Sequence, residues 1–302
     1  MLPAGLTFIE RGWLSSNSLL LQSPDQAALF DTGYVTHSAQ LSGLVKQQLA
    51  GQSLDTIVNT HLHSDHCGGN ALLQAEFAHL QTHVPITQFE TVVDWNDQAL
   101  SFEMTGQTCP RFGANHGICP DQVLMVCGYP WLAKSSPGHD DDSLVFFQPD
   151  HGLLLSADAL WESGFGVVFP AFLGGPGFQH VASTLDMIEQ LKVRVVLPGH
   201  GRLFTDVNQA LSKARSKLDF FASQPDKHAL YAAKVLLKFK LMEHQRCELQ
   251  QFVAWASAAP LMCKIHAVFF AQVPLMQWID QLIQALVERK AMQIQHGLLI
   301  NA

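Results

Sequence analysis

Three histidines and one aspartate occur within six residues of one another in the string THLHSDHCGGN, residues 60–70. His61 and His63 are two residues apart at the end of an apolar segment that reads as a β-strand, so both side chains leave the same face. Asp65 and His66 follow on the next turn and can be aimed at a neighbouring point. Imidazole nitrogens and carboxylate oxygens are ligands that suit divalent zinc, manganese or iron. The string therefore predicts a metal site.

Four further short motifs accompany this string, and each places a polar residue beside small residues at a turn. They are FDTG at residues 30–33, SPGH at 136–139, LSAD at 155–158 and LPGHG at 197–201. Together with HxHxDH, they resemble the signature motifs of the metallo-β-lactamase superfamily, in the order in which that family has them. The resemblance extends over roughly residues 6–202, about two thirds of the chain.

The resemblance implies a centre of two metal ions that share a water. It assigns the ligands as His61, His63 and His139 for the first ion, Asp65, His66 and His200 for the second, and Asp158 as the bridge. Of these we take Asp65 and Asp158 as catalytic residues, and we expect Asp31 of FDTG to support the site from behind. Two cations lower the pKa of the shared water toward neutrality, which gives a bridging hydroxide as nucleophile. We expect two divalent ions, zinc first, with iron or manganese as alternatives.

The family resemblance does not fix the substrate, because relatives cleave lactams, thioesters, lactones and phosphodiesters. Asp158 argues against a true β-lactamase, since those enzymes resemble one another in lacking the bridging aspartate. A Gly- and Pro-rich segment, residues 161–178, holds aromatic side chains that either wall a pocket for an acyl group or cover the core. These are Trp161, Phe165, Phe169, Phe172 and Phe178, with Trp95, Phe102 and Phe112 as candidates for an opposite wall. We expect a hydrolase of a thioester, ester or lactone, acting on a small molecule.

Three other functions fit the same residues. A phosphodiesterase or nuclease would use the same metals, a binding or regulatory protein would retain weak hydrolysis, and a two-iron redox enzyme would need a flavin partner. Residues 1–202 hold 7 Lys+Arg against 19 Asp+Glu, whereas residues 203–302 hold 11 against 7. An acidic body repels polyanions. This argues against nucleic acid as a partner, although the basic tail keeps that alternative open.

Two features near the motifs remain open from the sequence. His116 lies in a loop predicted over residues 105–120 and is a candidate for lining the site. Asp140, Asp141 and Asp142 follow His139 directly. They form either a solvated acidic turn or a source of one carboxylate that orients His139.

The elements that must position these residues alternate between strand and helix. Apolar runs and turn residues predict strands at 18–22, 27–31, 54–59, 143–148, 153–156 and 193–197, and helices at 35–51, 70–79 and 180–191. Residues 86–136 give a weaker pattern, with a helix predicted over 91–104. The alternation favours an α/β layered domain. With the resemblance, it predicts an αββα four-layer metallo-β-lactamase sandwich over residues 1–202.

Residues 203–302 read as a helical C-terminal domain. Helical periodicity covers residues 228–243, 247–258 and 273–290, and the apolar run 292–300 reads as a terminal strand or wing. This arrangement loosely resembles the helical or winged-helix tail of some glyoxalase II-like relatives. The segment 273–290 is rich in apolar residues, and the surface of a homodimer would be one use for them.

The remaining features concern location. The sequence contains no run of about 18 apolar residues, so it predicts no membrane-spanning helix. The first residues lack the pattern of a secretory signal. Six cysteines occur without a CxxC pair, which is typical of reduced thiols in a cytoplasmic protein. Cys109 and Cys119 are close enough in sequence to pair, and this is left open.

Overall fold

A computed structural model describes residues 2–96 and 99–302 of the chain. It contains two compact units, which are described separately. The first comprises Met1–Leu100 and Thr108–Asp219, and the second comprises Ser101–Gln107 and Phe220–Ala302. The sequence placed a domain boundary between residues 202 and 203. That domain boundary stays a prediction. The compact units of the structure divide at a different point, after Asp219.

Two sheets form the centre of the first unit. Their strands are β1 Leu6–Ile9, β2 Ser18–Gln22, β3 Ala27–Phe30, β4 Thr56–Val58, β5 Gln81–Pro85, β6 His116–Ile118, β7 Val123–Val126, β8 Tyr129–Ser135, β9 Leu144–Gln148, β10 Leu153–Ala157 and β11 Val195–Pro198. The first sheet has the order β1-β2-β3-β4-β5-β6 and is antiparallel from β1 to β3 and parallel from β3 to β6. The second has the order β11-β10-β9-β8-β7, in which only β10 and β11 pair in parallel.

The helices of the first unit flank these sheets. They are α1 Ser38–Leu49, α2 Ser64–Cys67, α3 Asn70–Glu76, α4 Ile86–Asp94, α6 Gly177–Gln190 and most of α7 Val207–Ser223, with short 3-10 helices at Val35–His37 and Phe169–Phe172. Helix α5, Phe102–Thr105, belongs to the second unit.

The two sheets pack face to face through an apolar core. Phe30 of the first sheet lies against Trp131 and Phe146 of the second, with ring centroids 5.4 and 5.1 Å apart. All three side chains are fully buried. Strand residues point alternately to opposite faces. Accordingly, Leu153 and Leu155 of β10 face this inner core.

Helices cover the outer face of each sheet. Leu29 of β3 joins a cluster with Leu41 of α1. On the opposite side, Leu154 of β10 packs in a cluster with Leu185 of α6 and Leu211 of α7. The order of layers is helix, sheet, sheet, helix, so the predicted αββα sandwich is confirmed.

The second unit combines helices with a small sheet. Its further elements are α8 Pro225–His244, β12 Arg246–Glu248, α9 Leu249–Ala258, α10 Pro260–Phe269, α11 Leu275–Glu288, β13 Met292–Gln295 and β14 Leu298–Asn301. The sheet order is β12-β14-β13. His296 and Gly297, both at positive φ (50° and 80°), form the two-residue turn of the β13–β14 hairpin, a turn that favours glycine. Helices followed by a terminal hairpin correspond to the predicted helical domain with a wing.

The apolar side of α11 is used inside the second unit. Trp278, Ile279 and Leu282 are buried, and α11 contacts α8, α9 and α10. These residues therefore provide no free apolar surface. The expected homodimer stays a prediction without the support of this helix.

Several predicted elements have different bounds in the structure. The strand predicted at 54–59 is limited to β4, and the helix predicted at 70–79 ends at Glu76. The helix predicted at 91–104 is wrong as one element, because α4 ends before Trp95, which has a left-handed φ of 51°. Two residues of that range, 97 and 98, lie outside the described residues. Helix α10, Pro260–Phe269, lies between the helices predicted at 247–258 and 273–290 and was not predicted as an element of its own.

A search of residues 2–96 and 99–302 finds no single helix with the length and apolar character needed to cross a membrane. Helices α9 and α10 are long and apolar enough when they are taken together, by length and composition alone, but the pair is bent by 70°.

We expect Phe146→Ala to destabilise the protein by about 3–5 kcal/mol, because it removes a buried ring from between the sheets and leaves a cavity. Met125→Ala, on the exposed β7 where Met125 is 62% exposed, should change stability by no more than about 0.5 kcal/mol. Urea denaturation of both variants measures the difference. Equal effects would show that the inner core does not lie where we place it.

Candidate metal centre

The predicted ligands all leave the carboxyl ends of strands in the first unit. His61 and His63 follow β4, and α2, which starts directly after His63, carries Asp65 and His66. His139, Asp158 and His200 follow β8, β10 and β11. The structure brings all seven side chains together as two groups, His61–His63–His139 and Asp65–His66–Asp158–His200, with ligand atoms within 4.8 Å of one another in each group.

The first group consists of three converging imidazoles. Nε2 of His61 lies 3.1 Å from Nδ1 of His63, which lies 2.7 Å from Nε2 of His139. Burial, reinforced by the neighbouring histidines, lowers the pKa of His61 well below its usual value. Burial and His139 lower the pKa of His63 to about 3. The group is therefore held neutral, which is the form that binds a metal ion.

The second group pairs carboxylates with imidazoles. Nε2 of His200 lies 3.1 Å from Oδ2 of Asp65, and Nε2 of His66 lies 3.4 Å from Oδ1 of Asp158. Burial opposes ionisation of Asp158, but the nearby His66 and His200 hold its pKa well below the usual range. Burial likewise opposes ionisation of Asp65, whose pKa the hydrogen bond from His200 lowers. Both carboxylates are ionised and face the inside of the cluster.

Asp158 lies between the two groups. Its Oδ1 faces His66, and its Oδ2 lies 3.2 Å from Nε2 of His139, a member of the first group. The close approach of Gly199 fixes this position, since a Cβ at Gly199 would lie 2.4 Å from Oδ1 of Asp158. One carboxylate is therefore presented to both groups.

Asp31 contacts His66 of the second group on the side of the ring that faces away from the cluster. Its Oδ2 accepts a 2.7 Å hydrogen bond from Nδ1 of His66 and one of 2.8 Å from Oγ1 of Thr60, and its Oδ1 accepts from the Thr60 backbone N–H at 2.9 Å. Asp31 itself has a left-handed φ of 54°. The carboxylate fixes the ring of His66 so that Nε2 points toward Asp158.

The outer nitrogens of His139 and His63 also have partners. Nδ1 of His139 donates to the carbonyl of Val167 at 2.6 Å, and a Cβ at Gly166 would lie 2.4 Å from that nitrogen. Nε2 of His63 faces Oδ2 of Asp140 at 3.4 Å. Burial and the nearby Asp142 raise the pKa of Asp140 to about 7. The acidic turn thus places a carboxylate beside His63, whereas we considered it as a partner of His139.

The donor set fits divalent metal ions. Nε2 of His66 is buried and makes no well-directed hydrogen bond, although Oδ1 of Asp158 lies 3.4 Å away, and a buried polar atom without a good partner is costly. It is aimed into a cluster whose other atoms are imidazole nitrogens and carboxylate oxygens, the ligands of zinc and related ions. A cation in the cluster would satisfy this nitrogen and balance the two buried carboxylates.

Aromatic rings surround the cluster. The ring of Trp13, 55% exposed, stacks on His200 with centroids 5.4 Å apart and planes 4° from parallel. Trp161 meets His200 edge-on at 5.4 Å, and its Nε1–H is shared between the carbonyl of Ala157 at 3.2 Å and Oδ1 of Asp158 at 3.3 Å. Phe169 contacts His63 at 5.3 Å and His139 at 5.5 Å. Both groups therefore have an aromatic neighbour.

The aromatic segment 161–178 divides between the two uses that we considered. Trp161 and Phe169 contact ligand residues, whereas Phe165 is 1% exposed and belongs to the core beneath the second sheet. Phe172 is also buried, and Phe178 packs against the same core.

The other candidate residues lie in different surroundings. Trp95 and Phe112 pack on each other with ring centroids 5.4 Å apart, and Phe102 belongs to the second unit. His116 lies on β6 beside His83, with ring centroids 4.6 Å apart. The opposite wall stays a prediction.

The segment before β2 also supports the site, although no motif in the sequence predicts this. The backbone N–H of Ser16 donates to the carbonyl of Asp65 at 2.8 Å, and that of Asn17 donates to the carbonyl of Gly199 at 2.7 Å. The Asn17 side chain donates to the carbonyl of Pro198 at 2.9 Å. Together with Trp13, these residues hold the second group in position. The sequence signal for them is weak and consists of a tryptophan followed by small polar residues.

Comparison with known proteins agrees with this geometry. The chain belongs to the metallo-β-lactamase superfamily, whose family model matches residues 11–200. The predictions of a metal-dependent hydrolase of this superfamily and of a centre for divalent metal ions are confirmed at that level.

Similar proteins occur in distant organisms. The chain is 25% identical to a "Beta-lactamase-like protein 2 homolog" of Drosophila melanogaster, over 74% of each chain. It is 25% identical to a probable hydroxyacylglutathione hydrolase of Schizosaccharomyces pombe, over 66% of this chain and 68% of the relative. The crystal structure of a metallo-beta-lactamase family protein from Thermus thermophilus matches with a TM-score of 0.59 and 20% identity over 100% of both chains. This last likeness concerns the fold.

We expect Asp31→Asn to weaken metal binding by roughly 10–100-fold, the usual effect of changing a residue that orients a ligand. Asparagine retains the size of the side chain and tolerates the left-handed φ, but it lacks the charge that faces His66. Titration with a competing chelator measures the affinity, and Asp25→Asn, in an exposed turn, is the matched control. Unchanged affinity in Asp31→Asn would contradict the orienting role.

Proposed function

We propose that this protein is a two-metal hydrolase of a small thioester, ester or lactone. His61, His63 and His139 hold one ion, Asp65, His66 and His200 hold the other, and Asp158 bridges them. When bound, such ions lower the pKa of a water and polarise the bond to be cleaved. Zinc is the metal that we propose first, with iron or manganese as alternatives for the same nitrogen and oxygen ligands.

The position of Asp158 between the two groups is the observation that carries this proposal. Its two oxygens face histidines of different groups at 3.4 Å and 3.2 Å, and its charge is shared between them. The Trp161 N–H, which also donates to the Ala157 carbonyl, donates to one of these oxygens. We therefore assign to Asp158 the role of holding both ions at a set separation, and to Asp65 that of completing the second site with His200.

The surroundings of the cluster favour an uncharged or singly charged substrate. Trp13, Trp161 and Phe169 provide aromatic surface beside the ligands, and such surface binds apolar groups. The name of the Schizosaccharomyces pombe relative denotes hydrolysis of an acylated glutathione, a thioester. An acyl group beside these rings fits both facts.

The charge near the cluster disfavours a polyanionic substrate. The acidic turn after His139 carries Asp141, whose side chain is 49% exposed and lies 2.9 Å from Nδ1 of His180 on α6. Asp140 on the same turn adds only part of a negative charge at neutral pH, because its pKa is raised to about 7. Residues 1–202 carry an excess of acidic groups. Repulsion of a nucleic acid by these groups is strongest at low salt, where the Debye length is about 30 Å at 0.01 M.

We expect the purified protein to bind two transition-metal ions per chain. Asp158→Ala should weaken the second ion and reduce kcat/KM by more than about 100-fold, beyond the range usual for residues that only orient ligands. Metal analysis and turnover of the same samples measure both effects, with Asp94→Ala on the surface of α4 as control. The bridging role is wrong if Asp158→Ala keeps two ions and full turnover.

We also expect kcat/KM to rise with acyl length over a few carbons, by up to about 0.8 kcal/mol per buried methylene. Trp161→Ala and Trp13→Ala should flatten this trend, because each removes aromatic surface beside the ligands. Trp161→Phe retains a ring without the N–H that donates to Asp158, so it separates the wall from the hydrogen bond. Phe220→Ala, at a 46% exposed residue of the second unit, is the control.

A panel of thioesters, lactones and phosphodiesters decides between substrate classes. If a simple phosphodiester is cleaved faster than every thioester and lactone, the phosphodiesterase alternative replaces our proposal. The metals themselves would serve either substrate, so such a result would leave the assignment of the ligands intact.

A further inference from the structure

Two thiols lie close together beside the metal centre, outside its ligand set. Sγ of Cys67 and Sγ of Cys109 are 3.7 Å apart, although the residues are 42 positions apart in the chain. Cys67 ends helix α2 and is fully buried, whereas Cys109 is partly exposed. All six cysteines are free thiols in this structure, so the pairing considered for Cys109 and Cys119 is absent.

We propose that Cys67 and Cys109 are an oxidation site, which a hydroperoxide converts into a reversible disulfide. A disulfide has an S–S distance of about 2.05 Å, so the two sulfurs must approach each other by roughly 1.6 Å. The crosslink would join the segment around Cys109 to the helix that carries Asp65 and His66.

Helix α2 is held in place on several sides. The carbonyl of His66 accepts hydrogen bonds from the Thr32 backbone N–H at 2.7 Å and from Nδ2 of Asn59 at 3.1 Å. The carbonyl of Asp65 accepts from Ser16. A Cβ on Gly68, directly after the helix, would lie 2.5 Å from the backbone nitrogen of Val35. The helix therefore has little room to move.

The segment that carries Cys109 is anchored at its far end, where Gly113 exchanges hydrogen bonds with the Gln74 side chain and Asn115 with Thr82. It has fewer contacts around Cys109 itself. Residues 107–115 form neither helix nor strand. The backbone N–H of Thr108 donates to the Tyr34 hydroxyl at 3.2 Å, and Sγ of Cys109 lies 3.6 Å from the carbonyl of Pro110. We therefore assign the movement to this segment, which leaves the metal ligands on α2 in place.

The chemistry has two balanced steps. Sulfur of Cys109, the more accessible thiol, attacks the hydroperoxide. An S–O bond forms, the O–O bond breaks, and the departing oxygen takes up the thiol proton as water or alcohol. Sulfur of Cys67 then attacks the sulfenic acid, so that the S–S bond forms and the S–O bond breaks with release of water. The two thiols lose two electrons, which the hydroperoxide gains.

The test uses the full, metal-loaded chain treated with hydrogen peroxide. Wild type should lose two of its six thiols and give a crosslinked peptide joining Cys67 to Cys109, and dithiothreitol should restore both thiols. Cys119→Ser, which removes an exposed cysteine outside the pair, should behave in the same way. Cys109→Ser should give no crosslink. Peptide mass spectrometry after alkylation distinguishes these results.

Cys67→Ala supplies a second, independent measurement. Without its partner, oxidised Cys109 should accumulate as a sulfenic acid that dimedone traps, whereas wild type should give little of this adduct. The proposal is overturned if wild type itself accumulates the adduct with Cys67 unmodified, or if Cys109 pairs with Cys119.

Metal content should stay constant on oxidation, and its loss would overturn the assignment of the movement to residues 107–115. None of these readouts depends on the proposed hydrolase activity.

Discussion

The burial of Asp158 away from water is the constraint around which this edge of the sandwich is built. An ionised carboxylate in such surroundings is costly unless opposite charge and hydrogen bonds compensate it. His66, His200 and His139 approach its two oxygens from different strand ends, and the Trp161 N–H adds a hydrogen bond. Four strand ends of the two paired sheets therefore meet at this point.

Backbone geometry at this meeting point leaves little freedom to the sequence. Gly199 and Gly166 occur where a Cβ would collide with Asp158 and His139. Asp31 joins the turn after β3 to the histidine string after β4, because it accepts hydrogen bonds from Thr60 and His66 at once. Ser16 and Asn17 join the segment before β2 to the same region. The small residues and hydrogen-bonding side chains of the motifs are thus required by packing as much as by the ligands.

The histidine string at residues 61–66 could be interpreted from the sequence because two histidines with a spacing of two at a strand end direct both side chains to the same face. The assignment of His139, Asp158 and His200 as ligands came from the resemblance to the metallo-β-lactamase superfamily. The alternation of strand and helix, also a local pattern, indicated the layered α/β domain. The bounds of α4 depended on packing that a local pattern does not contain.

The surroundings of the centre were harder to predict, because they depend on which distant segments meet. Aromatic residue types do not reveal that Trp161 and Phe169 contact ligands while Phe165 enters the core. The contribution of Trp13 and the proximity of Cys67 to Cys109 follow only from the folded chain. An acidic turn after His139 was visible, but its contact with His63 was not.

Trp13 and Trp161 pack against His200 and against each other, with all three ring centroids 5.4 Å apart, and this gives the centre an optical property. Because of this proximity, the emission of both fluorophores responds to charge or an unpaired electron at this imidazole. Trp131 is fully buried between the sheets and supplies emission from a different, apolar environment. Binding of an ion by the second ligand group should therefore change the emission of Trp13 and Trp161, against a background from the other four tryptophans.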